Sequence, residues 1–363
     1  MSGLDDAMFE ESDSDACHDG QTKPANARWA FQISDIVCLT IHFTFNLLMF
    51  KPSRSGTVWI EASGSLGRHG FVGMLFLFLT KLLRLVDATR GLPPNLIETA
   101  NTHTMTTEES KKVAMDAVQA LFVDFDADKA KSLLTEDYIQ HNTGVPTGAA
   151  PVLGFLPALK EAGIKATGHR LIAEDNLVVM HSTYENAQAF GAPTLVAFDV
   201  FRVADGRVAE HWDNLQVPGE PNASGRTMTD GTTEVTDLDK TASNKKLVSD
   251  FVQAVLINND MSNLTGFISK DKYLQHNPKV PDGLSGLGGA LEEMAKNGIF
   301  MVYKKVHLTV AEGNFVFTAS EGTFGGAHTA FFDLFRLEDG LIVEHWDTIT
   351  TIPEKMAHEN GKF

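Results

Sequence analysis

One segment of this chain occurs twice. Phe198 to Asp213 reads FDVFRVADGRVAEHWD and returns 134 residues later as Phe332 to Asp347, FDLFRLEDGLIVEHWD, with ten of sixteen positions identical. Tyr138-Ile-Gln-His141-Asn142 likewise returns as Tyr273-Leu-Gln-His276-Asn277. A period this long far exceeds the roughly 20 to 50 residues of a solenoid unit, so a whole domain is duplicated. The expected layout is an N-terminal extension over 1–104, a first domain over 108–217, a linker over 218–242, a second domain over 243–353 and a tail over 354–363.

Each repeat opens with apolar residues spaced three and four apart: Ala114, Val118, Leu121, Phe122 and Phe125, then Val248, Phe251, Val252, Val255 and Leu256. This spacing predicts an amphipathic helix with one buried face. Thr106 and Glu109 have the separation of a capping box at the start of the first. A second short helix is expected to end at Tyr138 or Tyr273, and a third to span 152–161 or 284–296, closed by Gly163 or Gly298. Strand-like runs follow at 171–173, 177–184, 195–203 and 207–215, and again at 306–310, 315–319, 329–337 and 341–349. Helices followed by a run of antiparallel strands is an α+β pattern.

Asp205-Gly206 and Asp339-Gly340 mark two-residue hairpin turns, because a type I′ turn needs positive φ at both central residues. Counting outward from such a turn places Val200 opposite His211 and Phe198 opposite Asp213, with Asp199 facing Trp212 on the other side. Period-two alternation puts His211 and Asp213 side by side on one strand, and His345 and Asp347 repeat that arrangement.

With 47 acidic against 30 basic side chains the net charge is −17, which disfavours nucleic acid and anionic membranes as partners. The two cysteines, Cys17 and Cys38, both precede the repeats, excluding a disulfide scaffold or thiolate metal site there. Residues 1–104 contain apolar runs at 36–50 and 71–79. The first is short of the roughly 20 residues of a membrane helix and the second is bounded by Lys81 and Arg84. A partly buried or interfacial helical hairpin, a membrane contact confined to residues 36–86, and a dispensable extension all fit this segment. The first twenty residues are acidic, unlike an export signal, so the expected location is cytoplasmic, with membrane association through the N-terminal segment as the alternative. The linker is rich in Pro, Gly, Thr and Asp and is expected to be exposed.

The helix order, the Tyr-x-Gln-His-Asn segment and the Phe-Asp-x-Phe-Arg-x-x-Asp-Gly-x-x-x-Glu-His-Trp-Asp hairpin resemble the SnoaL-like polyketide cyclase branch of the nuclear transport factor 2-like superfamily. The resemblance extends over both repeats, including Val217-Pro-Gly-Glu-Pro and Ile352-Pro-Glu. It implies two tandem cone-shaped α+β barrels, each a curved antiparallel sheet wrapped on about three helices around an apolar pocket. It also implies pairing of such domains through the outer sheet face, so that the tandem forms a covalent pseudo-dimer. An aspartate on the last strands is the family's acid/base, and by position Asp213 and Asp347 inherit that role. Neither metal nor organic cofactor is implied.

A carboxylate beside an imidazole in an apolar pocket is a plausible proton-transfer pair, since burial raises the carboxyl pKa toward neutrality. The expected catalytic residues are therefore Asp213 with His211 and Asp347 with His345. Tyr138, His141, His181, Tyr273 and His276 are the expected ligand-binding residues. For His141 and His276, read as three residues beyond a tyrosine on one helical face, a structural role stands open beside the ligand role. Trp212 and Trp346 are read as packing residues. His211 and Asp213 offer two donors to a metal, and chain spacing supplies no third. Two function classes remain open: an enzyme for aldol cyclisation, isomerisation or dehydration of a small apolar carbonyl compound, or a non-catalytic ligand-binding or dimerisation module.

Overall fold

The computed structural model describes residues 27–32, 48–52, 57–62 and 105–363. The chain divides into two compact units, 1–101 and 102–363. In the first, β1 (Ala27–Gln32), β2 (Leu48–Pro52) and β3 (Thr57–Ala62) form an antiparallel sheet in the order β1-β3-β2. Leu48 to Phe50, the end of an apolar run read as helical, is therefore strand. The rest of that run and residues 71–79 lie outside the described residues. Among the described residues no helix is long and apolar enough to cross a membrane.

The second unit contains both repeats. The first comprises α1 (Thr107–Gln119), α2 (Ala127–Leu133), β4 (Leu134–Gln140), α3 (Ala149–Ala162), β5 (Lys165–Glu174), β6 (Leu177–Glu185), β7 (Thr194–Ala204) and β8 (Arg207–Gln216). The second comprises α4 (Thr241–Phe251), α5 (Leu264–Phe267), β9 (Leu274–Gln275), α6 (Gly283–Lys296), β10 (Met301–Glu312), β11 (Phe315–Phe324), β12 (Ala327–Glu338) and β13 (Leu341–Thr351). Each repeat forms a five-stranded sheet of matching order, β4-β8-β7-β6-β5 and β9-β13-β12-β11-β10, with the first-named strand parallel to its neighbour. The fold is α+β, as expected, with two such sheets.

The capping box at Thr106 and Glu109 forms. Both opening helices end in a π-helical turn, 120–124 and 252–257, which widens the helix where the apolar stripe runs on. Tyr138 does not end a helix: α2 stops at Leu133 and the chain passes into β4, which lies along β8. Tertiary pairing overrides a short local helix signal there.

Both hairpin turns have positive φ at both central residues, 50° and 72° at Asp205-Gly206 and 52° and 75° at Asp339-Gly340. The register beyond them differs from the simple count. Ala204 pairs Arg207 and Val203 pairs Val208, but Arg202 pairs Glu210, leaving Ala209 as an extra residue on β8. One extra residue exchanges the faces brought into opposition. Asp199 therefore lies opposite Asp213, Phe201 opposite His211 and Val200 opposite Trp212. The same shift in the second repeat sets Asp333 opposite Asp347 and Phe335 opposite His345.

Each sheet thus has two faces with different work. In the first repeat Phe201, Val203, Val178 and Met180 pack against the helices. The opposite face, with Phe198, Val200 and Trp212, joins Phe315, Phe317, Phe332 and Trp346 of the second sheet in one buried cluster. Contacts between the repeats are reciprocal. Glu312 accepts from the backbone N–H of Ala173 (2.8 Å) and Glu174 from that of Ala311 (3.0 Å). Lys111 pairs with Glu312, and Lys245 with Glu174.

The segment over 217–236 is mostly exposed, as expected of the linker, but it is docked on the second repeat rather than free. Asn222 and Met228 are buried, Asn222 Nδ2 donates to Val280 O at 2.9 Å, and Arg226 pairs with Asp282. The stretch after β13 docks in the same manner on the first repeat, where Asn360 Nδ2 donates to Gln140 O at 2.9 Å.

Candidate functional site

Below the helices of the first repeat is a cavity of about 80 Å³, lined mainly by apolar side chains of α1, its π-helical turn and α3. Its polar wall is Tyr138 and Gln140 from β4, Asn142 just after it, Tyr184 from β6, Asp199 from β7, and His211 and Asp213 from β8. By the room one water needs, it takes about five to eight water-sized groups. Phe201 lines it, whereas Phe198 faces the second sheet.

The polar wall is a hydrogen-bonded chain. Gln140 Oε1 accepts from the backbone N–H groups of His141 (3.0 Å) and Asn142 (2.8 Å), which fixes it as the oxygen. His211 Nδ1 must therefore donate to it, at 2.9 Å. His211 Nε2 meets Asp199 Oδ1 at 3.2 Å. Asp199 Oδ2 accepts from Ser182 and Tyr184 hydroxyls, each at 3.0 Å. Asp213 accepts from Asn142 Nδ2, and Lys362 Nζ lies 3.6 Å from its Oδ1. Gln140 Nε2 donates to the Tyr138 hydroxyl oxygen at 3.3 Å. Burial, reinforced by the Asp213 and Asp199 charges, pushes the Tyr138 phenol far above its usual range, so it remains a proton donor.

The second repeat reproduces the constellation. His345 Nδ1 donates to Gln275 Oε1 (3.0 Å), and its Nε2 meets Asp333 Oδ1 (3.0 Å). Asn277 Nδ2 donates to both Asp347 oxygens at 3.0 and 2.8 Å, and Gln275 Nε2 to the Tyr273 hydroxyl at 3.3 Å. Burial also pushes the Tyr273 phenol upward, with Asp347 and Asp333 adding to it. Burial alone would lower the His345 pKa, but its bond to Asp333 and the charge of Asp347 outweigh this and raise it. Burial raises the Asp347 carboxyl despite His345 nearby.

One group is supplied differently. Tyr184 pairs with Ala166 across β6 and β5. The matching pair in the second repeat is Gly322 with Tyr303, and Tyr303 donates to Asp333 at 3.1 Å. The tyrosine has moved to the neighbouring strand while its hydroxyl still meets the aspartate. A Cβ on Gly322 would come within 1.9 Å of Val302 O, so that position takes no side chain.

The structure brings Asp213, His211 and Tyr138 together at the cavity, and places Asp347, His345 and Tyr273 in the matching cluster. It does not bring the other three expected ligand-binding residues there. His141 is on no helix. It stacks on Trp212 (4.9 Å, 12°), meets Glu210 Oε1 at 2.9 Å and donates from Nδ1 to Gly361 O at 2.9 Å. His276 likewise stacks on Trp346, meets Glu344 and donates to Thr227 O. Both hold the docked segments on the outer side, and the tryptophans are their packing partners. His181 is buried between the sheets, stacked on Phe198 at 4.3 Å and accepting from Arg170 Nη1 at 3.1 Å. Burial, with Arg170 beside it, pushes its pKa well below the usual value.

Sequence reasoning gave Asp199 no more than the role of an acid meeting a neighbouring ring N–H, as it does with His211, and gave no site role to Gln140, Asn142, Tyr184 or Lys362. The signal for the first three was present: each recurs in the other repeat, as Asp333, Gln275 and Asn277. Asp199 also provides the third donor that chain spacing did not. Donor atoms of Asp199, His211 and Asp213 lie within 4.8 Å of one another, as do those of Asp333, His345 and Asp347, and each of these groups is already hydrogen-bonded within the protein.

Residues 115–211 match the model of the SnoaL-like domain. No curated protein matches the chain in sequence. Among solved structures, similarity is found to TsrD from Streptomyces laurentii, 18% identical over 31% of this chain and 91% of that one, TM-score 0.27. An M. tuberculosis LEH-like epoxide hydrolase is 21% identical over 30% and 84%, TM-score 0.26. An NTF2-like protein from Cytophaga hutchinsonii is 16% identical over 30% and 89%, TM-score 0.25.

Proposed function

We propose that this protein moves protons on a small, mostly apolar carbonyl compound in the cavity of its SnoaL-like domain, and that the second repeat is a further copy paired with the first as a pseudo-dimer. The observation that carries this reading is the meeting of Asp213 and Tyr138 on one small apolar cavity. Among the described residues the Tyr138 oxygen accepts from Gln140, which leaves its own O–H to donate elsewhere. A substrate carbonyl oxygen accepts from Tyr138 while Asp213 takes the proton from the adjacent carbon, giving an enolate. Returning the proton to another carbon is an isomerisation. Attack of the enolate on a second carbonyl is an aldol cyclisation, and loss of a β-hydroxyl with a proton is a dehydration.

His211 is a poor direct donor to substrate, because both ring nitrogens are engaged. Its Nε2 is held against Asp199, beside Asp213. The tyrosine exchange between β6 and β10 supports a working second site: two different strands deliver a hydroxyl to the matching aspartate.

The test needs no knowledge of the product. Wild-type protein in D₂O should exchange the α-proton of small ketones or aldehydes of about five to eight non-hydrogen atoms, read by proton NMR. Asp213→Asn or Tyr138→Phe, combined with Asp347→Asn or Tyr273→Phe, should lower the exchange rate by about 10²- to 10⁴-fold without unfolding the protein. Ligands that bind with no exchange by the wild type would overturn this reading in favour of a non-catalytic binding module.

A further inference from the structure

The second repeat sends its last residues back to the first repeat's site. Ala357 N–H donates to Thr143 O (2.9 Å), His358 Nε2 to Asn142 O (3.0 Å), and Asn360 Nδ2 to Gln140 O and Thr147 Oγ1 (each 2.9 Å). Gly361 O accepts from His141, and the Phe363 ring stacks on His307 at 4.1 Å. The stretch 140–147 braced in this way contains Gln140, which orients His211, and Asn142, which donates to Asp213. Between these anchors Lys362 is buried, donates to the Asp213 carbonyl oxygen and lies 3.6 Å from its carboxylate.

The segment over 217–236 makes the matching contacts on the second repeat. Thr227 O accepts from His276 as Gly361 O does from His141. The next residue is Met228 in one case and Lys362 in the other. Asp347 consequently has Asn277 as its hydrogen-bond donor, and no lysine or arginine pairs with it among the described residues.

We infer that Lys362 is a positioning residue of the first repeat's site, supplied by the second repeat, whose ammonium holds Asp213 as an ion-paired carboxylate where Met228 leaves Asp347 without such a partner. This rests on the proposed function only for the role of Asp213; the pairing itself is measurable without any substrate. The groups facing Asp213 are His211 on its own strand, Asp199 on β7, Tyr184 on β6, Tyr138 on β4, Asn142 after β4, and Lys362. Those facing Asp347 are His345, Asp333, Asn277, His276, Tyr273 and Tyr303. In these sets Lys362 is the one lysine or arginine. Burial lowers its own pKa, and Asp213 opposes that. Physically, a buried cation close to a carboxylate favours the ionised form by about one to three pH units.

The experiment is a carbon-13 NMR titration of aspartate carboxyl groups in the full chain, with resonances assigned through Asp213→Asn and Asp347→Asn and folding checked by tryptophan fluorescence. Lys362→Met should raise the Asp213 midpoint by at least about one pH unit, a tenfold gain in proton affinity, and leave Asp347 in place. Lys362→Arg should keep most of the wild-type behaviour. The reverse transplant, Met228→Lys, should lower the Asp347 midpoint by a similar amount, and remains readable if Lys362→Met does not fold. An Asp213 midpoint unmoved in folded Lys362→Met, or an Asp347 midpoint unmoved in folded Met228→Lys, overturns the inference. Loss of proton exchange with unchanged midpoints also overturns it, whereas shifted midpoints with no exchange in the wild type leave it standing and remove the catalytic reading instead.

Discussion

Phe198→Ala tests whether the two sheets share one core. Phe198 is fully buried, stacked on His181 at 4.3 Å and 5.5 Å from the ring of Phe317 in the other sheet. Its cluster takes Ile172, Val179, Val200 and Trp212 from one repeat and Phe315, Phe332, Leu334 and Trp346 from the other. Removing a buried phenylalanine costs about 3–5 kcal/mol, from lost transfer energy and the cavity left behind. For a unit of this size each kcal/mol is about 2–4 °C in Tm, so the expected fall is about 6–20 °C. The assay is urea unfolding in two backgrounds that retain a single tryptophan, Trp212 on β8 or Trp346 on β13. Phe198→Ala should lower both transitions together by the same free energy, as a cooperative unit requires. A shift confined to Trp212, with the Trp346 transition in place, would refute a shared core.

Three other outcomes are expected. Thr106→Ala removes the side-chain half of the capping box on α1, leaving the backbone N–H at 106 on Glu109, and should cost about 0.5–2 kcal/mol in chemical denaturation, with little effect on the site. Gly322→Ala places a Cβ 1.9 Å from Val302 O and should lower stability by more than about 2 kcal/mol; a neutral result would mean that β10 and β11 are not so closely paired. His345 has a raised folded-state pKa, so its stabilising contribution is full below about pH 6.5 and is lost as pH rises through the folded value. The raised Asp347 carboxyl acts in the same sense from about pH 3.9 upward. His345→Gln should accordingly flatten the decline of stability between neutral and mildly alkaline pH, measured as the urea midpoint across pH.

The repeat, the α+β class, the capping box and the Asp-Gly turns are all local or periodic properties, and they are legible in the amino-acid sequence because each depends on residues close in the chain or on comparison of the chain with itself. The adjacency of His211 and Asp213 belongs with them, since two residues apart on a strand always share a face. The partners of that pair do not. A single extra residue, Ala209, reverses which residues of β7 face β8, and so decides that Asp199 rather than Phe198 meets Asp213. No turn rule reveals such a bulge. Tyr138 was read as the end of a short helix, whereas β4, which carries it, pairs with β8 through Leu134, Ile139 and Gln140, a long-range choice made by the sheet. His141 and His276 were expected at the cavity from their spacing after a tyrosine, and His181 from the family resemblance, whereas packing sends the first two to docked segments and the third between the sheets. Lys362 and Asp213, 149 residues apart in the chain, have no sequence relation that links them. Only the folding of one repeat's trailing segment onto the other puts a buried ammonium beside that carboxylate.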